Sequence, residues 1–366
     1  MIRNKIDLSE LTLIIHTFER KDFLLRQIAY LSAWKVNIEI VDGSKLPLDD
    51  LSVEYVNQFP NINYLHLALP VLDRIVDAAK RIRTPFVMCL ADDDLFLQGG
   101  LAAAIDSLKR NEDAVACMGQ AAGFDSLYGK YYAFEYGNNL SGYEVTGDSP
   151  QQRIQIAFSN WRPATWYAVY RTHIFKKVWD SAYTYKCPAS AEYEQTIKTF
   201  IYGNLITSEE IYWLRSFETT PNVQDSAMDR GLVFSKWWNE NLYSGDRGIF
   251  QNRILSLLRN SNAISNSSAQ HVYLSIVDAI LNEYESSFEV RNSSSHMIAR
   301  TSKFIGSRFL IGRVKNSIFW KKQITPLIKY IGRKKFTTRS RLNIDIANEI
   351  KSAIQFCDLF ANKGDL

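Results

Sequence analysis

The chain has 366 residues, 22% of them charged and 46% hydrophobic, a globular composition that excludes disorder and is long enough for two domains or one large domain with an appendage. Its net charge of +4 hides an asymmetry: residues 301–341 hold twelve Lys or Arg and no Asp or Glu, which leaves the remainder at −8. No run of about 18 apolar residues is present to span a bilayer, and Met1 is followed by Ile2-Arg3-Asn4-Lys5 rather than an apolar signal stretch, so a cytoplasmic protein is expected.

The first 120 residues alternate between strand and helix patterns. Leu11 to His16 is a short apolar run, and Leu24, Ile28 and Leu31 then mark one face of a helix over Lys21 to Ala33. Ile38 to Val41 is a second strand, closed by the turn signal Asp42-Gly43-Ser44. Ile62 to Leu67 is a third. Leu72, Ile75, Val76 and Ala79 mark a helix, and Pro85 to Leu90 is a strand apolar on both faces. Leu101, Ile105 and Leu108 predict a further helix before a fifth strand at Ala114 to Met118. Strands without alternation, separated by helices, require a parallel α/β sheet covered on both faces. Pro163 to Tyr170 predicts a strand, Thr172 to Trp179 a helical turn, Glu192 to Ile201 a short helix and Ile211 to Phe217 an alternating strand. Beyond Pro221 the chain is mostly helical, with helices at Ile249–Leu258, His271–Tyr284 and Ile344–Phe360 and a Ser/Asn-rich linker from Asn260 to Ser268. The four cysteines show no pairing or metal spacing and are expected to be reduced.

In an open α/β sheet, ligands bind beyond the carboxyl ends of the strands. Three polar clusters fall there: Thr17-Phe18-Glu19-Arg20, Asp42-Gly43-Ser44 and Asp92-Asp93-Asp94. Adjacent carboxylates repel and are costly to bury unpaired, and hard cations such as Mg²⁺ or Mn²⁺ choose oxygen ligands and share their shell with phosphates. Asp92 and Asp94 point the same way on an extended strand end, which leaves Asp93 to backbone donors. The plain alternative is an acidic cap on the helix that follows.

The ordered set Leu13 to Arg20 (LIIHTFER), Val41 to Ser44 (VDGS) and Phe86 to Leu95 (FVMCLADDDL) resembles the nucleotide-binding half of GT-A glycosyltransferases, closest to the family-two-like bacterial surface-polysaccharide enzymes. The resemblance covers roughly residues 10 to 215. It implies a GT-A, Rossmann-like mixed sheet with helices on both faces and a catalytic domain at 1–220; the helical pattern beyond it makes 221–366 a mostly helical C-terminal appendage. Thr17 and Arg20 match the family's first-strand motif, while His16 and Glu19 depart from it. Asp42 matches the acid that contacts the base, typically uracil, with Ser44 nearby. Asp94 then stands as principal ligand of a divalent metal (Mn²⁺ or Mg²⁺), Asp92 assists in place of the acid replaced by Ala91, and Asp93 belongs to the donor site. Arg74 lies where relatives contact the donor, and Arg215 near their diphosphate; each is equally readable as an exposed Arg. The general base is expected at Glu192, or second at Glu194, although Tyr193 interrupts the family's acidic pair.

Trp161, Arg162 and Trp166 suit stacking and hydrogen bonding to a sugar, with core packing the rival account of Trp166. His16 and His173 lack metal spacing and are expected to be structural. The basic segment 301–341 interleaves Phe304, Ile305, Phe309, Leu310 and Trp320 with its charge, the pattern of an interfacial helix on an anionic membrane. A basic hairpin packed on the acidic body is the alternative, and no nucleic-acid motif accompanies the charge. The expected function is a metal-dependent, inverting transfer of a sugar from a nucleotide-sugar, most often a UDP-sugar, to a glycan or lipid-linked acceptor in bacterial surface-polysaccharide synthesis, at the inner face of the cell membrane. A degenerate, glycan-binding scaffold is the alternative, followed by a HAD-type phosphatase.

Overall fold

A computed structural model describes residues 6–136, 140–159, 162, 165–218, 232–260, 268–282 and 344–362. The N-terminal half alternates β1 (Asp7–Thr17), α1 (Lys21–Leu31), β2 (Lys35–Asp42), α2 (Asp50–Asn57), β3 (Ile62–His66), α3 (Val71–Arg81) and β4 (Phe86–Ala91). It continues through β5 (Leu95–Phe96), α4 (Gln98–Arg110), β6 (Ala114–Leu127), β7 (Lys130–Glu135) and α5 (Pro150–Ser159). A 3₁₀ turn at Thr165–Tyr167 precedes β8 (Val169–Arg171), α6 (Thr172–Val178), α7 (Pro188–Tyr202) and β9 (Asn204–Ser216). Then come α8 (Phe234–Asn239), α9 (Ser244–Asn260), α10 (268–282) and α11 (Ile344–Asn362).

Among the described residues, nine strands form one sheet in the order β3-β2-β1-β4-β8-β6-β9-β5, with β7 beside β6. Strands β1 to β4 run parallel to one another, as their unbroken apolar runs require: alternate residues of β1 enter opposite cores. Leu13 and Ile15 pack with Leu24, Ile28, Leu101 and Leu108, whereas Ile14 packs with Ile75, Ala79, Phe175 and Ile197. Strand β8 runs antiparallel to β4 and β6, so the sheet is mixed, as the family resemblance implied. Register brings Thr17 level with Asp42 and His16 level with Ala91, and the three polar clusters converge at one edge.

Two expectations need correction. Pro163 to Tyr170 is not one strand: within it lie the 3₁₀ turn and the start of β8. Thr165 turns its hydroxyl to Gln195 and Thr196 of α7, and its carbonyl accepts from the Tyr170 hydroxyl at 2.9 Å and from Ala168 N–H at 3.2 Å. Those bonds close a turn where an extended chain would leave buried Thr165 unpaired. Helix α7 starts at Pro188, with Pro in its first turn, so Glu192 and Glu194 lie beyond that turn rather than in it.

The described C-terminal helices have no core separate from the sheet's. Phe234, Trp237, Phe250 and Tyr273 share a cluster with Ile197 and Phe200 of α7. Ile346, Ile350, Ala353 and Cys357 of α11 pack on Leu95, Leu97, Phe124 and Leu214 of the sheet. The expected boundary at 220, most of the Asn260–Ser268 linker and the basic segment 301–341 fall outside the described residues. No described helix is long and apolar enough to cross a membrane. The described cysteines are all free and buried.

Candidate functional site

The ends of β1 and β2 are locked together by main-chain geometry. Thr17 carbonyl accepts from Gly43 N–H at 3.0 Å and from the Arg74 guanidinium at 2.7 Å. Arg74 also donates to the carbonyls of Val41 and Leu69. Its side chain is fully buried, which overturns the alternative of an exposed helical Arg: its donors hold two strand ends and a loop. Gly43 is required above it, since a Cβ there would lie 2.4 Å from Arg74 Cζ.

Asp42 is buried and accepts from Ser44 N–H at 2.8 Å and from the Tyr64 hydroxyl at 2.8 Å. Glu19, in left-handed backbone conformation at φ 52°, accepts from Lys45 N–H at 2.8 Å, and its own N–H donates to Ser44 Oγ at 2.7 Å. Glu19 and Ser44 thus tie the two loops together. Between them opens a cleft of about 340 Å³ lined by Thr17, Glu19, Arg20, Lys21, Asp42, Ser44, Leu46 and Pro47 among others. It gathers five of the donor-site residues expected from sequence. Tyr64 was not foreseen, because in a short strand it reads as one more half-buried aromatic.

The aspartate triplet is tied to the cleft through two residues that line it, Thr17 and Arg20. Asp92 accepts from Thr17 Oγ1 at 2.7 Å and pairs with Arg20 at 3.0 Å. Arg20 reaches on to Asp93 at 2.7 Å and lies over the Phe23 ring at 4.4 Å. Asp94 accepts from Trp213 Nε1 and from Ser216 N–H, both at 2.8 Å. The backbone donor therefore goes to Asp94, where Asp93 was expected to receive it, because β5 folds Asp94 against β9. Arg26, unforeseen in a helix, donates to the Asp93 carbonyl at 3.0 Å and pairs with Glu218 at 2.8 Å.

Burial pushes Asp92 up to about 6 against the pull of Arg20 and Thr17. Burial and the neighbouring Asp93 raise Asp94, against Ser216, Trp213 and Arg215. These carboxylates are thus short of positive charge, and their all-oxygen donor set suits a hard divalent cation. Among the described residues no three His, Cys, Asp or Glu side chains form a closed metal cage.

Two turns of chain complete the far wall. Tyr167 packs against Trp213 with ring centroids 4.8 Å apart, and Arg215 lies 5.9 Å above the Trp213 ring and donates to the Tyr136 hydroxyl. Glu192 is exposed on this wall, yet the protein crowded around it pushes its pKa up to about 7 against the charge of Arg215. That value suits a base working near neutrality. Glu194, two residues on, faces the other way. It is buried, receives the Arg253 guanidinium through two nitrogens, the nearer at 2.6 Å, and bonds to Tyr185 and Lys198. Burial alone would raise it, but Arg253 and Lys198 hold it below the usual carboxylate range. A carboxylate saturated with donors takes no proton from a substrate, so Glu194 is a structural ion-pair residue. Tyr193 packs on Phe158 and Phe234, away from this wall.

Trp166 meets Trp179 edge-on at 5.0 Å and His16 at 6.4 Å, which favours the packing account. Trp161 lies outside the described residues, and Arg162 is half-buried with Nε unpartnered among them. His16, whose two ring nitrogens meet no partner among the described residues, is held neutral: burial, then Arg74 and Arg20, lower its pKa to about 3.

No protein-family model matches the chain, and none of the curated proteins does. Among solved structures the chain is similar to S. aureus TarS 1-349 in complex with UDP-GlcNAc, at a TM-score of 0.50 and 14% identity over 96% of this chain and 90% of that one. The structures of S. aureus TarS 1-349 alone (TM-score 0.49, 12% identity) and with UDP (0.47, 14%) are matched over the same shares. The likeness is one of fold: the mixed α/β sheet with its C-terminal helix is that of a GT-A-like glycosyltransferase structure.

Proposed function

We propose that the chain is a glycosyltransferase that takes a nucleotide-sugar, a UDP-sugar first, and passes the sugar to a hydroxyl of a glycan or lipid-linked acceptor in bacterial surface-polysaccharide synthesis. The observation that carries this is the meeting, at one sheet edge, of the Asp42 cleft, the charge-deficient Asp92–Asp94 loop and Glu192. The base and ribose enter the cleft over Asp42, Ser44 and Thr17. Arg20 and Arg215 bring positive charge to the diphosphate. Asp94 and Asp92 are the proposed ligands of Mg²⁺ or Mn²⁺, which when bound supplies charge to the leaving diphosphate. Glu192 takes the proton of the acceptor hydroxyl as its oxygen bonds to the anomeric carbon. The bond from that carbon to the diphosphate breaks, and the nucleoside diphosphate leaves. A single displacement of this kind inverts the anomeric centre.

A thermal-shift series with UDP-, GDP-, CMP- and dTDP-sugars, with and without Mn²⁺, tests it. A ligand of the folded state raises the melting temperature by mass action. A UDP-sugar is expected to do so, more with Mn²⁺, and Asp94→Ala is expected to remove the Mn²⁺-dependent part. Silence from all four nucleotides overturns the reading.

A further inference from the structure

Arg215 meets Tyr136 across β6, the strand that separates β7 from β9. Ala122 of β6 stands level with Glu135 of β7, and Gly123 level with Arg215 of β9. Successive residues of a strand face opposite ways, so Phe134 and Tyr136 share one face with Trp213, Arg215 and Phe217. Their contacts agree. Phe134 packs on Phe217 with ring centroids 5.3 Å apart, and Tyr136 on Phe217 at 5.9 Å and on Trp213 at 6.3 Å. Gly123 makes room beneath them, since a Cβ there would lie 2.4 Å from Phe134 Cζ.

The Arg215 guanidinium lies in that aromatic setting, 5.4 Å from the Tyr136 ring centre, 5.7 Å from Phe217 and 5.9 Å from Trp213. One of its nitrogens donates to the Tyr136 hydroxyl. Among the described residues no carboxylate pairs with it. Arg26 makes the contrast: it too lies over three rings, those of Phe23, Phe124 and Tyr131, yet it is paired with Glu218 at 2.8 Å. Arg253 is likewise taken by Glu194. A carboxylate cancels the charge of a guanidinium, whereas ring faces and a hydroxyl orient its planar fork and leave the charge and the other donors open. Arg215 is thus held as a site for a bound anion is held. Asp94 sets where that anion comes: it accepts from Trp213 Nε1 and Ser216 N–H, two residues before and one after Arg215 in the chain.

The geometry points to Tyr136 as the positioning residue of Arg215: with Trp213 and Phe217 it holds the guanidinium beside Asp94, aimed at the outer phosphate of a nucleoside diphosphate. This rests on the nucleotide-sugar reading and deepens it by naming what aims the cation at the leaving group. Tyr136 itself touches no substrate in this role. It removes in advance the side-chain freedom that the anion would otherwise have to remove on binding.

Tyr136→Phe deletes the hydroxyl and keeps the ring, Arg215→Ala deletes the cation, and the double variant completes a cycle. Melting temperatures check that each variant folds as the parent does. Binding of UDP, and of UMP, which lacks the outer phosphate, is measured by calorimetry in the presence of Mn²⁺. Tyr136→Phe is expected to weaken UDP about threefold to tenfold, the size of one lost hydrogen bond, and to leave UMP unchanged. In the Arg215→Ala background the same change is expected to have no further effect on UDP, because nothing is left to aim. Losses that add across the cycle overturn the inference, as does equal weakening of UMP and UDP, or UDP binding that Tyr136→Phe leaves unaltered. Wild-type protein that binds neither nucleotide sinks the nucleotide-sugar reading and the inference together, whereas wild-type UDP binding that survives Arg215→Ala intact sinks the inference alone.

Discussion

Glu192 and Glu194 sit two residues apart on α7 in opposite surroundings. Glu192 stands without a direct cation and is held near neutrality; Glu194 is locked by Arg253, Lys198 and Tyr185. Glu192→Gln is expected to lower the transfer rate by roughly 10²–10⁴-fold without loss of melting temperature. Glu194→Gln is expected to cost roughly 3–5 kcal/mol of stability, since it leaves Lys198 and Arg253 without their carboxylate. Equal effects of the two on rate and stability would refute the assignment. The sign with pH follows from the raised carboxyl. The folded state holds the Glu192 proton more tightly than an unfolded chain with the ordinary value of 4.5, so Glu192's contribution is present below that value and lost as pH rises through about 7. Glu192→Gln should therefore raise the melting temperature more at pH 8 than at pH 5. From sequence the two glutamates were interchangeable, because the partner that separates them, Arg253, lies on another helix far along the chain. The aspartate triplet was legible because three carboxylates after an apolar strand are costly anywhere else. Arg74 was not: an Arg on a helix says nothing about three carbonyls waiting beneath it.

At the level of elements, what could be read was what burial on two faces dictates. Strands β1, β2 and β4 and helices α1, α3 and α4 announce themselves by apolar period. The 3₁₀ turn at Thr165–Tyr167 did not, because side-chain hydrogen bonds to α7 decide it. Nor did the sequence reveal that α11 belongs to the sheet. Its Ile346, Ile350, Ala353 and Cys357 cover Leu95 and Leu97, which follow directly on the Asp92–Asp94 loop. Glu349 accepts from Gly99 N–H at 3.1 Å at the start of α4, and Asp358 accepts from Tyr131 N–H at 2.7 Å. Glu349→Ala removes an acidic side chain from a helix N-terminus and is expected to cost about 1 kcal/mol. Ending the chain before Ile344 is expected to cost several kcal/mol from the uncovered apolar surface and to weaken UDP binding, since Asp94 loses the packing behind β5. A truncated protein with unaltered melting temperature and UDP affinity would show that α11 is dispensable.

For the whole molecule, the docking of α11 changes how the basic segment is to be tested. Residues 301–341 carry twelve Lys or Arg without an acidic residue, against −8 for the rest. They lie between α10 and α11, both packed on the body. A truncation at 301 would remove α11 as well and confuse lost charge with lost packing. Replacing 301–341 by an uncharged Gly/Ser segment of equal length removes the charge alone. Each basic residue near an anionic bilayer contributes about 1 kcal/mol, screened by salt within a Debye length, so a few of the twelve would suffice to hold the body at an anionic surface, as the proposed lipid-linked acceptor requires. The expected outcome is co-sedimentation of the intact chain with vesicles containing phosphatidylglycerol at low salt, release as salt rises, and little binding by the replaced variant. UDP-sugar binding should be equal in both, because the donor cleft lies wholly in the sheet edge. If the variant sediments as well as the parent, the charge serves the acidic body of the protein rather than a lipid surface.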